Sequence, residues 1–247
     1  MKNRDIWQPS KFVYKNGKLI ASRHKKEVNI ASRLIADIVA EFYDKNIKKY
    51  ASGKLLDLGS GKVPLYQVYR EYISDSICVD WQNTQHPNDY LDLECDLEKG
   101  LPFAIGEFNT IILSDVLEHI PNPEMLWTEM SRILSPNGKI IMNVPFYYKI
   151  HEQPYDFYRF TEFALRRFVK MSGLRIIKLE SIGGFPEIIG DIFAKNIMVL
   201  PIFGENLANF IQFLTKVFVR TALGKILSKK TKNIFPFGYF LIVEKSG

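Results

Sequence analysis

Short apolar runs alternate with helical spacings along most of this chain, and that alternation predicts its fold. Strand-like runs fall at residues 54–58, 76–80, 90–95, 110–114, 139–144 and 174–179. Helical patterns lie between several of them, at 65–72, 123–134 and 161–172. Ahead of the first strand, Val28, Ile35, Ile38, Val39, Phe42 and Tyr43 recur at helical spacing, and Gly53 closes that segment. The tetrapeptide "SPNG" (135–138) reads as a turn between a helix and its strand. Alternation of this kind predicts an α/β fold with a mostly parallel sheet covered by helices on both faces.

The pattern changes near the end of the chain. Residues 181–232 are rich in Phe, Ile and Leu and are interrupted by Pro186, Gly190, Pro201 and Gly204. Then "FGYFLIVEK" (237–245) reads as a final strand, so a hydrophobic helical insert separates two late strands. From Leu207 onward, Phe210, Ile211, Leu214, Val217, Phe218 and Ala222 follow one helical face, which Phe213 and Val219 widen. Lysines at 225, 229, 230 and 232 come next. The uncharged runs here are far shorter than the roughly 20 residues that a membrane span requires. Three uses stay open: a cap over a substrate pocket, a peripheral membrane contact through 185–232, and a homodimer interface. The expected segments are an N-terminal extension and helix (1–50), a core (51–182), the insert (183–233) and a last core strand (234–247).

Composition and charge refine this outline. With 47% hydrophobic and 13% aromatic residues, the 247-residue chain can bury a large core, which excludes a disordered protein. Residues 1–50 hold 12 Lys/Arg against 5 Asp/Glu, and 205–247 hold 7 against 2, leaving an acidic centre of 14 against 20. Basic ends suit an anionic partner, either nucleic acid or a membrane surface, or serve solubility alone. The polar, basic start lacks an apolar stretch of signal-peptide type. Cys78 and Cys95 fall within strand patterns and read as free thiols of a reducing compartment. A cytoplasmic protein, peripheral at the membrane if the insert binds lipid, is the expectation.

The candidate chemistry starts at "KLLDLGSGKVPLY" (54–66). A phosphate-binding P-loop would need glycine where Leu56 stands and a hydroxyl where Val63 stands. A dinucleotide fingerprint would need glycine where Pro64 stands. Asp57, just before the glycines, repels phosphate and suits a cationic group. Asp80 lies 19 residues after Gly61, the spacing at which an acid accepts ribose hydroxyls. A ribose and a cation without phosphate describe S-adenosylmethionine.

Residues 54–180 then resemble a class I S-adenosylmethionine-dependent methyltransferase of the broad small-molecule type. The resemblance rests on "LLDLGSG", "CVDWQ", "CDLEKGLPF" and "FNTIILSDVLEHIPNPEMLWTEMSRILSPNGKIIMNVP", in that order. It implies a Rossmann-like, doubly wound sheet of seven strands, with the last strand antiparallel. It also implies a cofactor site: Gly59, Ser60 and Gly61 against the methionine part, with Asp57 near its ammonium. Asp80, followed by Trp81, would hold the ribose, Asp96 and Leu97 the adenine, and Ser114 would line the methionine side. Val63 and Pro64 depart from the glycine that many relatives carry there.

Methyl transfer from a sulfonium requires alignment more than acid–base chemistry. Two places after strands carry candidate catalytic groups. "LEHI" supplies Glu118 and His119, and the aromatic loop "FYYKIHEQPYDFYRFT" (146–161) supplies His151, the first choice for a base. No metal is expected. In the N-terminal extension, Trp7, Phe12 and Tyr14 are candidates to close the site. The leading function is methylation of a small-molecule, sugar or lipid-linked acceptor. Nucleic-acid methylation and a catalytically silent binding protein are the alternatives; no nucleic-acid module is recognisable, so nucleic acid is not the expected partner.

Overall fold

The computed structural model describes residues 1–82 and 89–247, in two compact units. The first unit comprises 1–9, 45–180 and 239–247, and the second comprises 10–44 and 181–238.

The first unit is built on a sheet that, among the described residues, has seven strands. In chain order they are β3 (Lys54–Leu58), β4 (Asp75–Asp80), β5 (Leu93–Glu94), β6 (Phe108–Ser114), β7 (Leu134–Pro145), β8 (Leu174–Ile182) and β9 (Gly238–Lys245). Their spatial order is β5-β4-β3-β6-β7-β9-β8. The pairs β3–β4, β3–β6, β4–β5 and β6–β7 are parallel, and the late strands introduce the antiparallel direction. This is the seven-stranded, mostly parallel sheet with a late antiparallel strand that the resemblance implies. The reason is burial on both faces: Leu55, Leu56, Leu58, Ile111, Ile112 and Leu113 are fully buried, as continuous apolar runs in a covered parallel sheet require. Helices α3 (Pro123–Ile133) and α4 (Glu162–Met171) pack through Trp127, Met130, Leu165 and Phe168 into the same core. Asn122 and Thr161 cap their N-termini through side-chain oxygens.

Two local differences from expectation have clear causes. The "SPNG" turn lies inside the span of β7 and acts as a bulge. Leu134 pairs with Phe108 and Lys139 with Thr110, so residues 135–138 are looped out, with Asn137 at φ 60°. The helix expected at 65–72 shortens to α2 (Tyr66–Tyr69).

The second unit begins with a hairpin, β1 (Phe12–Lys15) and β2 (Lys18–Ala21). Its turn residues, Asn16 and Gly17, both have positive φ, which matches a type I′ hairpin turn. Helix α1 (Arg33–Tyr50) starts in this unit after a short 3-10 turn. Helices α5 (Phe185–Ile197), α6 (Gly204–Phe218) and α7 (Ala222–Thr231) form the insert. Gly190 lets α5 approach α6, because a Cβ there would meet Thr215 Oγ1 at 2.2 Å. Asp37 receives ion pairs from Arg23 and Lys216, each near 2.8 Å or closer. No helix among the described residues is long and apolar enough to cross a membrane.

Gln212, buried on α6, bonds both ways: it accepts from Leu34 N–H at 2.8 Å and donates to the Ala31 carbonyl at 2.8 Å. Replacing it with leucine removes both partners from buried backbone groups. Gln212→Leu should therefore lower unfolding free energy by about 2 kcal/mol, the usual cost of such unmade bonds. Urea denaturation would measure it, and an unchanged midpoint would contradict the role.

Candidate active site

The site is built at the carboxyl ends of β3, β4 and β6, where open α/β sheets bind ligands. Parallel register sets Asp57 opposite Cys78 on β4 and Ile112 on β6, so this carboxylate enters the sheet interior. It is buried, and the Tyr69 hydroxyl donates to it at 3.3 Å. Burial raises the Asp57 pKa to about 8; the Tyr69 bond opposes that rise and the charge of Asp80 adds to it. The same burial pushes the Cys78 thiol and the Tyr69 phenol upward, so both stay protonated.

Asp80 ends β4 and organises the glycine turn. One carboxylate oxygen accepts from Gly61 N–H at 2.9 Å and the other from Trp81 N–H at 2.8 Å. Gly59, at φ 63°, has no room for a side chain, since a Cβ would lie 2.5 Å from Val116 Cγ2. Gly61 is also left-handed, at φ 48°. Val63 adopts φ 49°, costly for a β-branched residue. It is held there by its N–H, which donates to the Ser60 carbonyl at 2.8 Å, and by Trp7 Nε1, which donates to the Val63 carbonyl at 3.2 Å. Trp7 thus lies against the glycine turn, whereas Phe12 is buried in the second unit and the Tyr14 hydroxyl donates to Asp44.

Two observations fit this turn to a nucleoside ligand with a polar tail. Ser60 Oγ is buried without a hydrogen-bond partner among the described residues. A cavity of about 330 Å³ lies beyond β4, lined by Trp81, Gln82, Glu94, Cys95, Asp96 and Lys99. Asp96 accepts from Glu98 N–H at 3.0 Å and pairs with Lys99 at 3.2 Å, and the backbone bond chiefly holds its pKa down. Leu97 beside it is buried. At the end of β6, the Ser114 hydroxyl donates to Asn143 Oδ1 at 3.0 Å.

The second group of candidates converges from two segments. A 3-10 turn, Leu117–His119, follows β6, and the Glu118 carbonyl accepts from Phe157 and Tyr158 N–H, at 3.0 and 3.2 Å. Those bonds bring the loop after β7 over the turn. The His119 and His151 rings stand edge to face at 4.7 Å. His119 Nδ1 bonds the Tyr155 carbonyl at 2.7 Å, and His151 Nδ1 lies 3.2 Å from Asp156. Asp156 is fixed by Arg159 and by His151 N–H, which outweigh its burial and lower its pKa to about 2. Burial, then the neighbouring His119, lowers the His151 pKa, so the ring is neutral at physiological pH. The Tyr155 ring meets Trp81 edge-on at 4.7 Å, which links this loop to the residue after Asp80. The sequence singled out both histidines but not their convergence.

Comparison with known proteins defines the class. Residues 27–179 match the family described as "Methyltransferase domain", and the chain belongs to that family. It is a class I S-adenosylmethionine-dependent methyltransferase in fold, cofactor and enzyme class. Among solved structures, a SAM-dependent methyltransferase from Archaeoglobus fulgidus is similar at TM-score 0.54 and 16% identity, covering 83% of this chain and 94% of that one. A Haemonchus contortus phospholethanolamine N-methyltransferase 2, in complex with phosphomonomethylethanolamine and S-adenosylhomocysteine, is similar at 0.52 and 15%, covering 91% and 58%. The (4+2)-cyclase SpnF is similar at 0.54 and 14%, covering 85% and 82%. No curated protein sequence matches the chain.

The raised pKa of Asp57 gives a signed pH dependence. Between about pH 4 and pH 8 the folded protein holds a proton that the unfolded chain has released. That contribution to stability is complete below the ordinary carboxylate pKa near 3.8 and is lost as pH rises to about 8. Melting temperatures across this window should fall less steeply for Asp57→Asn than for the parent without ligand. Parallel curves would show that Asp57 is ionised in the folded protein.

Proposed function

We propose that this protein transfers the methyl group of S-adenosylmethionine to a lipid-linked or otherwise amphiphilic small-molecule acceptor at an anionic membrane surface. The observation that carries the cofactor half is the pair of buried acids around a glycine turn. Asp57 would face the ligand's ammonium, Gly59, Ser60 and Gly61 its methionine backbone, and Ser114 the same side. Asp80 would accept the ribose hydroxyls beside Trp81, with Asp96 and Leu97 at the adenine. The cofactor supplies an activated methyl group; the chain's residues align the acceptor and keep water out. His119 and His151, supported by Tyr155 and Asp156, stand as the groups that engage the acceptor.

The acceptor half rests on the second unit. Phe193, Phe203, Phe210, Phe213, Val217 and Leu223 of the insert are all exposed, Phe213 at 60%. Within 181–238 the acids are Glu187, Asp191 and Glu205, and the first two are buried, against seven Lys/Arg. Exposed aromatics beside lysines suit insertion into the headgroup region of anionic lipid. Reduced Cys78 and Cys95 agree with the cytoplasmic face of such a membrane.

Titration calorimetry with S-adenosylhomocysteine tests the cofactor half. Asp80→Asn should weaken binding by roughly 1.5–3 kcal/mol, the range for a charged acceptor, and neither NAD nor ATP should compete. Tight NAD binding without binding of the sulfonium nucleoside would refute it. For the surface, flotation with vesicles containing anionic lipid should capture the protein at low salt and release it as salt rises. Phe210→Ser with Phe213→Ser should abolish capture. A protein that stays unbound and instead dimerises through these residues would assign the face to self-association.

A further inference from the structure

The second group of candidates contains an arrangement that methyl transfer alone does not explain. His119 Nε2 lies 3.7 Å from Glu118 Oε1, and His151 Nε2 lies 3.8 Å from the same oxygen. One ligand atom from each of the three residues falls within 4.8 Å of the other two. These separations exceed hydrogen-bond reach, so the imidazoles and the carboxylate do not satisfy one another directly. Glu118 is fully buried, and His119 Nε2 is buried without a hydrogen-bond partner among the described residues.

The tautomers can be read from the other ring nitrogens. The Tyr155 carbonyl only accepts, so His119 Nδ1 carries the proton and Nε2 a lone pair. The Asp156 carboxylate lies 3.2 Å from His151 Nδ1 without a hydrogen bond between them, and its charge favours the proton on that nitrogen, leaving a second lone pair on Nε2. Two nitrogen lone pairs and a carboxylate oxygen therefore face a common point. The buried His119 lone pair, which has no hydrogen-bond partner among the described residues, is one that a cation at this point would satisfy.

We propose that Glu118, His119 and His151 bind a first-row divalent transition cation. Metal–donor distances of about 2.0–2.2 Å place neighbouring ligands roughly 3.0–3.5 Å apart, so the two histidine–Glu118 separations need to close by a few tenths of an ångström, and the widest separation in the set, within 4.8 Å, by about one ångström. His119 already has the backbone-carbonyl partner that metal-bound imidazoles use, and the Asp156 carboxylate lies 3.2 Å from His151 Nδ1, within reach of the same role although it is not hydrogen-bonded there. Glu152 Oε2, 3.9 Å from His119 Nε2 on an exposed side chain, supplies a fourth donor. Imidazole ligands select zinc, iron, copper or nickel over calcium, and the carboxylate also admits manganese.

The role of the cation toward the acceptor rests on the methyl-transfer reading. An acceptor hydroxyl taking a remaining position would lose its proton to water more readily. Its oxygen would then form a bond to the methyl carbon while the carbon–sulfur bond breaks, its electron pair staying on sulfur. His119 and His151 act in that scheme as ligands, with Asp156 as a positioning residue.

The test is cation binding itself, read without turnover. Chelator-treated protein is titrated separately with Mn²⁺, Co²⁺ and Zn²⁺ by calorimetry, with Mn²⁺ paramagnetic resonance and Co²⁺ absorption as spectroscopic readouts. At least one cation should bind at one equivalent per chain, and His119→Ala or His151→Ala should weaken it at least 100-fold. Asp156→Asn should weaken it 10- to 100-fold while leaving the Co²⁺ spectrum's ligand count unchanged. Glu118→Gln should weaken it at least 10-fold, and if that variant fails to fold, His119→Gln serves in its place. S-adenosylhomocysteine titration of the same samples reports the cofactor site independently. The proposal is overturned if none of the three cations binds stoichiometrically, or if binding survives loss of both histidines.

Discussion

The hydrogen bond from Gly61 N–H to the Asp80 carboxylate ties together the parts on which the proposed cofactor site depends. Asp80 is delivered by β4, Gly61 by the turn leaving β3, and the parallel pairing of the two strands brings them within 2.9 Å. The bond fixes the turn in a left-handed path that glycine tolerates, and it leaves the remaining lone pairs of the acid at the carboxyl end of the sheet. Asp57, one strand over, is held in the protein interior by the same pairing. Two acids so close cannot both ionise cheaply, and it is Asp57, the more deeply buried, that keeps its proton. A cationic ligand favours the ionised form, so binding and proton release are coupled at this turn.

Much of this was legible in the chain because it is local. "LLDLGSG" and "SICVD" are strand, turn and acid in sequence order, and their separation fixes their meeting once the strands are parallel. The count of seven strands and the reversed last strand followed from the resemblance, and continuous burial of runs such as "IIL" in β6 explains why the pattern was clear. The hairpin at 12–21 was not read, although Asn16-Gly17 carries the strongest short turn signal. Its strands are four residues each, too short for alternation to stand out.

The cluster of Glu118, His119 and His151 was missed as a unit for a different reason. Its members come from turns after two different strands, 32 positions apart, and nothing in the spacing announces a ligand set. Convergence depends on backbone bonds from Phe157 and Tyr158 to the Glu118 carbonyl and on the Arg159–Asp156 pair that shapes the loop. Such contacts leave no periodic trace. The exposed phenylalanines of the insert are the opposite case: the sequence showed a helical face too wide for one packed side, and the structure leaves much of it uncovered.

The measurement that bears most directly on the account is transfer of isotopically labelled methyl from S-adenosylmethionine into a cell extract separated into lipid and aqueous fractions. The account predicts label in a discrete lipid-fraction product, formed by the parent protein and lost in Asp80→Asn. Label that appears equally with Asp80→Asn, or no transfer into any fraction by protein that binds S-adenosylhomocysteine, would contradict it.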